Sequence, residues 1–255
     1  MWHIFLLHVG QISSTGIFVL RTHLSPNVVS SVFPTGLFPF KIAGIAVLPV
    51  VKNKAMTELY SLAKRICRSN TPVLITGEAG VGKEVVARYI HDQSGSERGG
   101  EFVAVNCRSV QENLMDSELF GHVKGAFTDA DKDKAGLVEV ADGGTLFIDE
   151  VEEINHAMQV KLLRVIEEKE HRRLGSSDTT KSNFRLICAT NRDLRSMIDQ
   201  DKFREDLYHR ITGAIVKVPA LRERLDEIPL FVDYFIREVQ PRRESCFGEA
   251  YRCCE

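Results

Sequence analysis

The sequence has few features of a metal-bound, disulfide-linked or strongly basic protein. None of its six cysteines forms a C-x-x-C pair, which argues against a zinc site or a disulfide framework and favours a reducing, cytoplasmic compartment. The formal net charge of −2 over 255 residues gives no chain-wide basic surface for nucleic acid. The first acidic residue is Glu58, and Arg21 is the only Lys or Arg before Lys41. The chain therefore begins without the basic region of a signal peptide.

The first 44 residues differ in composition from the rest of the chain. The apolar run at residues 1–20 is about long enough to span a bilayer, but His, Gln, Ser and Gly interrupt it. We therefore predict that residues 1–44 form a loosely ordered extension and that the chain has no membrane span. With 44% hydrophobic residues, the remainder can bury a sizeable core.

The stretch from Thr71 to His91 organises the remainder. An apolar run at residues 73–75 predicts a buried strand, a glycine-rich segment follows, and a helical pattern starts near Val85. Strand, glycine-rich loop and helix form the context in which backbone N–H groups bind phosphate. A helix start that carries Gly-Lys by chance would not explain the preceding strand. The predicted phosphate-binding residues are Gly77, Glu78, Ala79, Gly80, Val81, Gly82, Lys83 and Glu84.

Glu84 is unusual for such a loop. The general motif has Ser or Thr after the lysine to hold magnesium, whereas this chain has a carboxylate there. A triphosphate repels a carboxylate unless a metal lies between them or the side chain turns away. Lys83 is expected to place its charge at the β- and γ-phosphates.

A pair of carboxylates ends a predicted strand within the stretch from Gly143 to Glu150. Asp149 ends the apolar run, at the strand end expected to face the glycine-rich loop, where it can hold Mg²⁺. Glu150 is next and can polarise a water for attack on a γ-phosphate. An Asp-Glu pair alone is often a solvated turn, but together with the loop it indicates ATP chemistry.

The other segments alternate between helical and strand patterns. This alternation predicts an α/β fold with a parallel sheet and right-handed crossovers. Helical patterns cover residues 54–67, 117–120, 158–170, part of 201–211 and 227–239; strands are predicted at 102–106, 184–189 and 214–218; loops are predicted at 121–133 and 175–183.

These motifs resemble the AAA+ ATPase domain of bacterial enhancer-binding proteins, the activators of sigma-54 RNA polymerase. The resemblance covers about residues 45 to 240 and rests on GEAGVGKE, ELFGHVKGAFTDA, GGTLFIDE, KLLRVIE, RLICATNRDL, FREDLYHRI and PALRERLDEIP. A glutamate directly after the loop lysine, as at Glu84, is what this family carries. The resemblance implies a P-loop NTPase fold of AAA+ type, with a parallel sheet flanked by helices and with ATP and Mg²⁺ as cofactors.

The resemblance also implies roles for individual residues. Asn106 is similar to the switch residue that restrains the catalytic Glu150. Thr190 and Asn191 resemble the γ-phosphate sensor. Arg204 and Arg210 match arginine fingers, which reach the nucleotide of a neighbouring subunit.

Family members form rings, commonly hexamers, in which hydrolysis moves a loop that grips the sigma factor and remodels the closed promoter complex. The matching residues are Gly125, Ala126, Phe127, Thr128, Asp129 and Ala130. Most members have glycine where this chain has Asp129. We expect Phe127 to be exposed, because its neighbours are polar; the alternative is a ring packed back onto the core.

The expected organisation is an extension at 1–44, an AAA+ core at 45–229 and an incomplete helical lid at 230–255. No helix-turn-helix or receiver domain is recognisable. Two functions follow: an ATP-driven remodeller of sigma-54 polymerase, or a truncated remnant that does not hydrolyse ATP and acts as an interaction module. A small-molecule kinase is disfavoured by the arginine-finger segment and by the lack of any acceptor-site pattern.

Overall fold

The computed structural model describes residues 40–42, 45–47, 52–95, 99–128 and 130–232. Its elements in chain order are β1 (Phe40–Ile42), β2 (Ile45–Val47), α1 (Lys54–Ile66), β3 (Val73–Thr76), α2 (Lys83–Gln93), β4 (Phe102–Asn106), α3 (Glu112–Phe120), β5 (Gly121–His122), β6 (Lys134–Ala135), α4 (Leu137–Val140), β7 (Thr145–Asp149), α5 (His156–Glu168), β8 (Glu170–Arg172), β9 (Thr179–Lys181), β10 (Arg185–Thr190), α6 (Leu194–Asp199), α7 (Glu205–Ile211) and β11 (Ala214–Lys217).

Five of the strands form one parallel sheet. Their order across the sheet is β11–β3–β10–β7–β4, and every neighbouring pair is parallel. β3, which comes first along the chain among these five, lies between β11 and β10. The predicted parallel α/β sheet is therefore confirmed.

The sheet is buried on both faces because its strands carry apolar residues at successive positions. Side chains of adjacent strand residues point to opposite faces. Leu74 and Leu186 thus join a core that also contains residues of α3, α5 and α7. Val73 and Ile187 join a second core, built with α1 and α2. Helices on both faces of a parallel sheet give the three-layer architecture that the sequence predicts.

Besides the β1–β2 pair, two short antiparallel ladders further along the chain were not predicted. α5 ends at Glu168, and β8 then pairs with β9 inside segments predicted as helix end and loop. Similarly, β5 pairs with β6 at the two ends of the predicted loop 121–133. These strands are two or three residues long and mostly polar, so they lack the alternation by which a sequence indicates a strand. α3 is also longer than predicted, beginning at Glu112.

The predicted terminal segments lie largely outside the described residues. β1 and β2 pair on either side of the boundary predicted at residue 44. After β11 the chain makes two short 3-10 turns, Leu221–Glu223 and Leu225–Glu227, and residues 228–232 are helical. The extension at 1–39 and the lid from 233 onward remain predictions. Within the described ranges, no helix has the length and apolar character needed to cross a membrane.

Candidate nucleotide-binding site

Four neighbouring strands of the sheet end at one edge. At this edge Thr190 lies opposite Thr76, after which the glycine-rich loop begins. Asn106 lies opposite Asp149. Adjacent strands lie about 4.8 Å apart, so β3 and β7, with β10 between them, are about 10 Å apart. The fold therefore places the glycine-rich loop and the carboxylate pair on one edge, within the span of a nucleotide's phosphates.

The glycine-rich loop encloses its own lysine. Lys83 is buried, with 8% of its surface exposed, and its Nζ donates to the carbonyl oxygens of Gly77 and Glu78 at 3.0 Å each. Gly80 and Gly82 have φ values of 76° and 94°, which glycine adopts without strain. The carbonyl groups of the loop itself therefore hold the ammonium group of Lys83 in place.

Glu84 is turned away from the loop. Its Oε1 lies 2.8 Å from Nη2 of Arg88, one helical turn further along α2. The guanidinium of Arg88 also lies 4.4 Å from the ring centre of Phe102. The carboxylate is thus neutralised by an arginine of its own helix, which removes the repulsion that its position suggested.

Glu150 combines an uncommon backbone conformation with an unpartnered carboxylate. Its φ of 54° and ψ of 50° are left-handed, a conformation common at functional sites for residues other than glycine. Its Oε2 is buried and has no hydrogen-bond partner among the described residues. Burial, and then the charge of Asp149, raise the pKa of Glu150. An orphaned carboxylate oxygen of this kind can accept a proton from water.

Asn106 contacts the other carboxylate. Its Nδ2 donates to Oδ2 of Asp149 at 3.4 Å, and its Oδ1 accepts from the backbone N–H groups of Arg108 and Ser109. Among the described residues, the side-chain amide of Asn106 therefore contacts Asp149, and its role as a switch for Glu150 stays a prediction. The strand register explains this, because Asn106 pairs with Asp149 while Glu150 already lies in the turn that follows.

The end of β10 is tied to the segment after Glu150. The hydroxyl of Thr190 is buried and accepts from the backbone N–H of Arg192 at 3.1 Å, so it serves the turn. Asn191 is exposed, and its backbone N–H donates to Oε1 of Glu152 at 3.2 Å. Glu152 is 5% exposed, and its Oε2 has no partner among the described residues. Sequence reasoning missed Glu152, since it reads as one of several charged turn residues.

The two candidate arginine fingers lie at the surface. Arg204 pairs with Asp206 at 2.7 Å, and Arg210 pairs with Glu167 at 2.6 Å. The backbone N–H of Arg204 donates to the side chain of Gln159, which is fully buried. Gln159 was also missed, although its position three residues before Leu162 on the apolar face of α5 was a signal of burial.

The predicted sigma-gripping loop is closed by backbone hydrogen bonds. The N–H of Gly125 donates to the carbonyl of Ala130 at 2.8 Å. Phe127 is 37% exposed, and its ring meets His122 edge-on at 4.9 Å. The ring of Phe127 is thus partly exposed, as expected, and also partly packed against the protein, as in the alternative. Asp129 lies outside the described residues.

The base of this loop rests on the β8–β9 hairpin. The N–H of Val123 donates to the carbonyl of Leu174 at 3.0 Å, and the N–H of Leu174 donates to the carbonyl of Gly121 at 2.9 Å. Leu174 lies between the two strands of the hairpin. The loop and the hairpin therefore form one continuous surface feature.

The carboxylates fit Mg²⁺ only together with a nucleotide. Over the described ranges, no group of three or more His, Cys, Asp or Glu side chains is arranged to hold a metal. Mg²⁺ at phosphate sites usually takes one or two carboxylates, with waters and phosphate oxygens as the other ligands. Asp149, next to the unpartnered oxygen of Glu150, matches that donor set.

The parallel sheet, the glycine-rich loop around Lys83 and the carboxylates on the same edge define a P-loop nucleotide-binding domain of AAA+ type. Residues 50–217 match the family described as "Sigma-54 interaction domain". The chain belongs to this family, which confirms the resemblance found in the sequence.

Similar proteins include bacterial transcriptional regulators. The chain is 46% identical over 186 residues to the "Nif-specific regulatory protein" of Herbaspirillum seropedicae, covering 73% of this chain and 34% of that protein. It is 46% identical over 197 residues to the "Transcriptional regulatory protein ZraR" of Escherichia coli strain K12, covering 77% and 44% respectively. The crystal structure of NtrX from Brucella abortus in complex with ATP aligns with a TM-score of 0.71 at 36% identity, covering 78% of this chain and 42% of that one. The chain thus spans about a third to a half of the length of such relatives.

Proposed function

We propose that this chain binds ATP with Mg²⁺, hydrolyses it, and uses the hydrolysis to remodel closed complexes of sigma-54 RNA polymerase, thereby regulating transcription in the bacterial cytoplasm. The observation that carries the proposal is the shared edge of the sheet, where the glycine-rich loop faces Asp149 and the unpartnered Oε2 of Glu150. Similarity to NtrX, whose structure was solved in complex with ATP, supports the choice of nucleotide.

Each residue at this edge has a distinct role in the proposed reaction. The loop amides bind phosphate oxygens, and Lys83 exchanges the carbonyls of Gly77 and Glu78 for them. Asp149 holds Mg²⁺, which when bound would neutralise phosphate charge. Glu150 accepts the proton of the attacking water, and its raised pKa suits a general base.

Two further residues monitor the phosphates. The exposed side chain of Asn191 lies at the end of β10, where it can sense the γ-phosphate. Asn106 acts through its hydrogen bond to Asp149. In this arrangement, a movement of the Asp149 carboxylate is passed to Asn106 by the hydrogen bond and to Glu150 by the chain, because Glu150 directly follows Asp149.

We propose that the active form is a ring, commonly a hexamer in this family. Arg204 and Arg210 make exposed ion pairs with carboxylates. Exposed pairs of this kind contribute little stability, so either arginine can exchange its partner for the phosphates of an adjacent subunit. An arginine finger accelerates phosphoryl transfer about 10³- to 10⁵-fold, and turnover per chain should therefore fall steeply on dilution.

The exposed ring of Phe127 is proposed to contact the sigma factor, with Gly125 and Ala130 closing the loop behind it. Phe127→Ala should abolish capture of the sigma factor while ATP binding stays unchanged. A pull-down with a transition-state analogue of ATP hydrolysis measures this. Leu114→Ala, which also removes a partly exposed apolar side chain, is the control. If Phe127→Ala captured as much sigma factor as the wild type, Phe127 would not be the contact residue.

The proposal as a whole is tested by measuring ATP turnover and ATP binding for the wild type and for Glu150→Gln. An amide cannot accept the proton, so Glu150→Gln should bind ATP and lose turnover. A dilution series of the wild type tests assembly. If both proteins bind ATP and neither hydrolyses it at any concentration, the chain is a binding module. If Glu150→Gln hydrolyses ATP as fast as the wild type, Glu150 is not the hydrolytic residue.

A further inference from the structure

The segment after β11 contacts the glycine-rich loop at two places. Arg222 makes a two-pronged ion pair with Glu78, with N–O distances of 2.6 and 2.8 Å. Two residues later, Nη2 of Arg224 donates to the carbonyl of Val81 at 2.7 Å. The segment around Arg222 and Arg224 therefore contacts the glycine-rich loop near both of its ends, at Glu78 and at Val81. No role for this segment is predicted from the sequence.

These two contacts differ in burial. The side chain of Arg222 is 67% exposed, whereas that of Arg224 is 6% exposed. An exposed ion pair adds little to stability. A buried hydrogen bond from a charged donor contributes more, because its carbonyl has no water to replace the donor. Arg224 is thus the contact that fixes the loop.

The charge of Arg224 is balanced by a buried carboxylate. Its Nη1 lies 3.5 Å from Oε2 of Glu227, which is fully buried. The Oε1 of Glu227 accepts from the backbone N–H groups of Lys52 and Asn53, at 2.9 and 3.1 Å. Asn53 in turn caps the start of α1. Arg224 and Glu227 therefore link Val81 to the residues that precede and cap α1.

The hydrogen bond to Val81 sets the direction of an amide in the phosphate loop. A trans peptide is planar, so its C=O and N–H point in opposite directions. With its carbonyl held by Arg224, the Val81–Gly82 peptide must direct the N–H of Gly82 to the other side. Glycine allows both signs of φ, so without Arg224 this peptide could rotate. Gly82 has φ 94° and immediately precedes α2.

We infer that Arg224 is a positioning residue for nucleotide phosphates, which holds the Val81–Gly82 peptide so that the Gly82 N–H is available to them. The inference rests on the proposed binding of ATP. Arg224 itself contacts no phosphate in this scheme; it acts through the backbone of the loop.

The test measures the affinity of a fluorescent ATP analogue together with thermal unfolding. Arg224→Met should weaken binding about 10- to 100-fold, the range expected for one hydrogen bond from a charged group. Arg224→Lys should recover most of the affinity, since an ammonium group can donate to Val81 and pair with Glu227. The matched control is Arg185→Met, which removes another buried arginine at the opposite edge of the sheet. That variant should unfold at lower temperature while its folded form binds with wild-type affinity.

A double variant keeps the test decisive if Arg224→Met does not fold. Arg224→Met with Glu227→Gln removes both buried charges and retains an acceptor for Lys52 and Asn53, which limits the stability loss. It should show the same loss of affinity. Wild-type affinity in either folded variant would overturn the inference. If the wild type itself binds the analogue no better than Lys83→Ala, the proposed binding of ATP fails instead.

Discussion

The two edges of the central sheet use their buried charged side chains differently. At the edge where the strands begin, Arg185 is fully buried and donates to the carbonyls of Ile66 and Cys67 and to the hydroxyl of Ser94, at 2.9 to 3.2 Å. At the edge where the strands end, Glu150 and Glu152 each have a buried carboxylate oxygen without a partner among the described residues.

We interpret the edge with Arg185 as one that stabilises the fold, and the edge with Glu150 and Glu152 as one that binds a ligand. Buried polar groups in folded proteins are nearly always hydrogen-bonded, and an exception needs an explanation. At the first edge, one guanidinium ties the ends of α1 and α2 to β10. At the second edge, unsatisfied oxygens and the left-handed backbone of Glu150 are energetically unfavourable and are typical of a site that a ligand completes. Substitutions at the two edges should therefore alter different measurements.

The largest expected effect is on ligand affinity, at the edge with the glycine-rich loop. Lys83→Ala removes the ammonium group that the loop encloses, so ATP affinity should fall roughly 100-fold or more. The free energy of unfolding should change by only about 1 kcal/mol, because Gly77 is half-buried and Glu78 is exposed, so that water can replace the ammonium group. Titration of a fluorescent ATP analogue and urea unfolding measure the two quantities. Lys64→Ala, an exposed lysine of α1, is the control, and equal affinities for the two variants would remove the P-loop assignment.

The next effect is on stability, at the opposite edge. Arg185→Met removes the guanidinium that donates to two backbone carbonyls and a hydroxyl. The carbonyl of Ile66 keeps the backbone N–H of Ser69 at 3.1 Å, so the free energy of unfolding should fall by about 2 kcal/mol. Urea unfolding without nucleotide measures this loss, and Arg68→Met, an exposed arginine, should be close to neutral. If Arg185→Met reduced the ATP affinity of the folded protein, the edge where the strands begin would also contribute to ligand binding.

Most of the fold could be predicted from apolar patterns. Four of the five strands of the sheet lie within one residue of their predicted limits, and β7 lies within the predicted stretch 143–150. Buried parallel strands are continuous apolar runs, which makes them recognisable in a sequence. The β8–β9 hairpin and the β5–β6 ladder could not be predicted. Their short polar strands are held by tertiary contacts such as the hydrogen bonds between Val123, Leu174 and Gly121, which leave no local pattern.

The candidate site was predictable where its chemistry follows the chain closely, and not where it depends on packing. The loop from Gly77 to Glu84 and the Asp149–Glu150 pair are contiguous motifs, and the sheet brings them to one edge. Glu152, Arg224 and Glu227 lie in charged stretches that read as solvated surface. Their burial depends on segments distant in sequence, such as the contact of Arg224 with Val81.

The smallest effect is a gain in stability at the site itself. Burial and the charge of Asp149 raise the pKa of Glu150 above its ordinary value of 4.5. Ionising Glu150 therefore costs more free energy in the folded protein than in the unfolded chain. Glu150→Gln lacks this cost and should be more stable than the wild type at pH 7, by about 1 kcal/mol or less, because the side chain is partly solvated.

The difference in stability between Glu150→Gln and the wild type should depend on pH. Between the ordinary and the raised pKa, the folded wild type binds more protons than the unfolded chain, so its stability increases as the pH falls. The advantage of Glu150→Gln should therefore shrink on acidification and vanish below about pH 4.5, the ordinary pKa of the carboxyl. Urea unfolding from pH 7 to pH 4 measures it. Glu153→Gln is the control of opposite sign, because Glu153 is paired with Arg192 at 2.9 Å and its loss should not stabilise the protein. If Glu150→Gln is less stable than the wild type at pH 7, the unpartnered carboxylate is not a cost to folding, and the contrast between the two edges would rest on Glu152 alone.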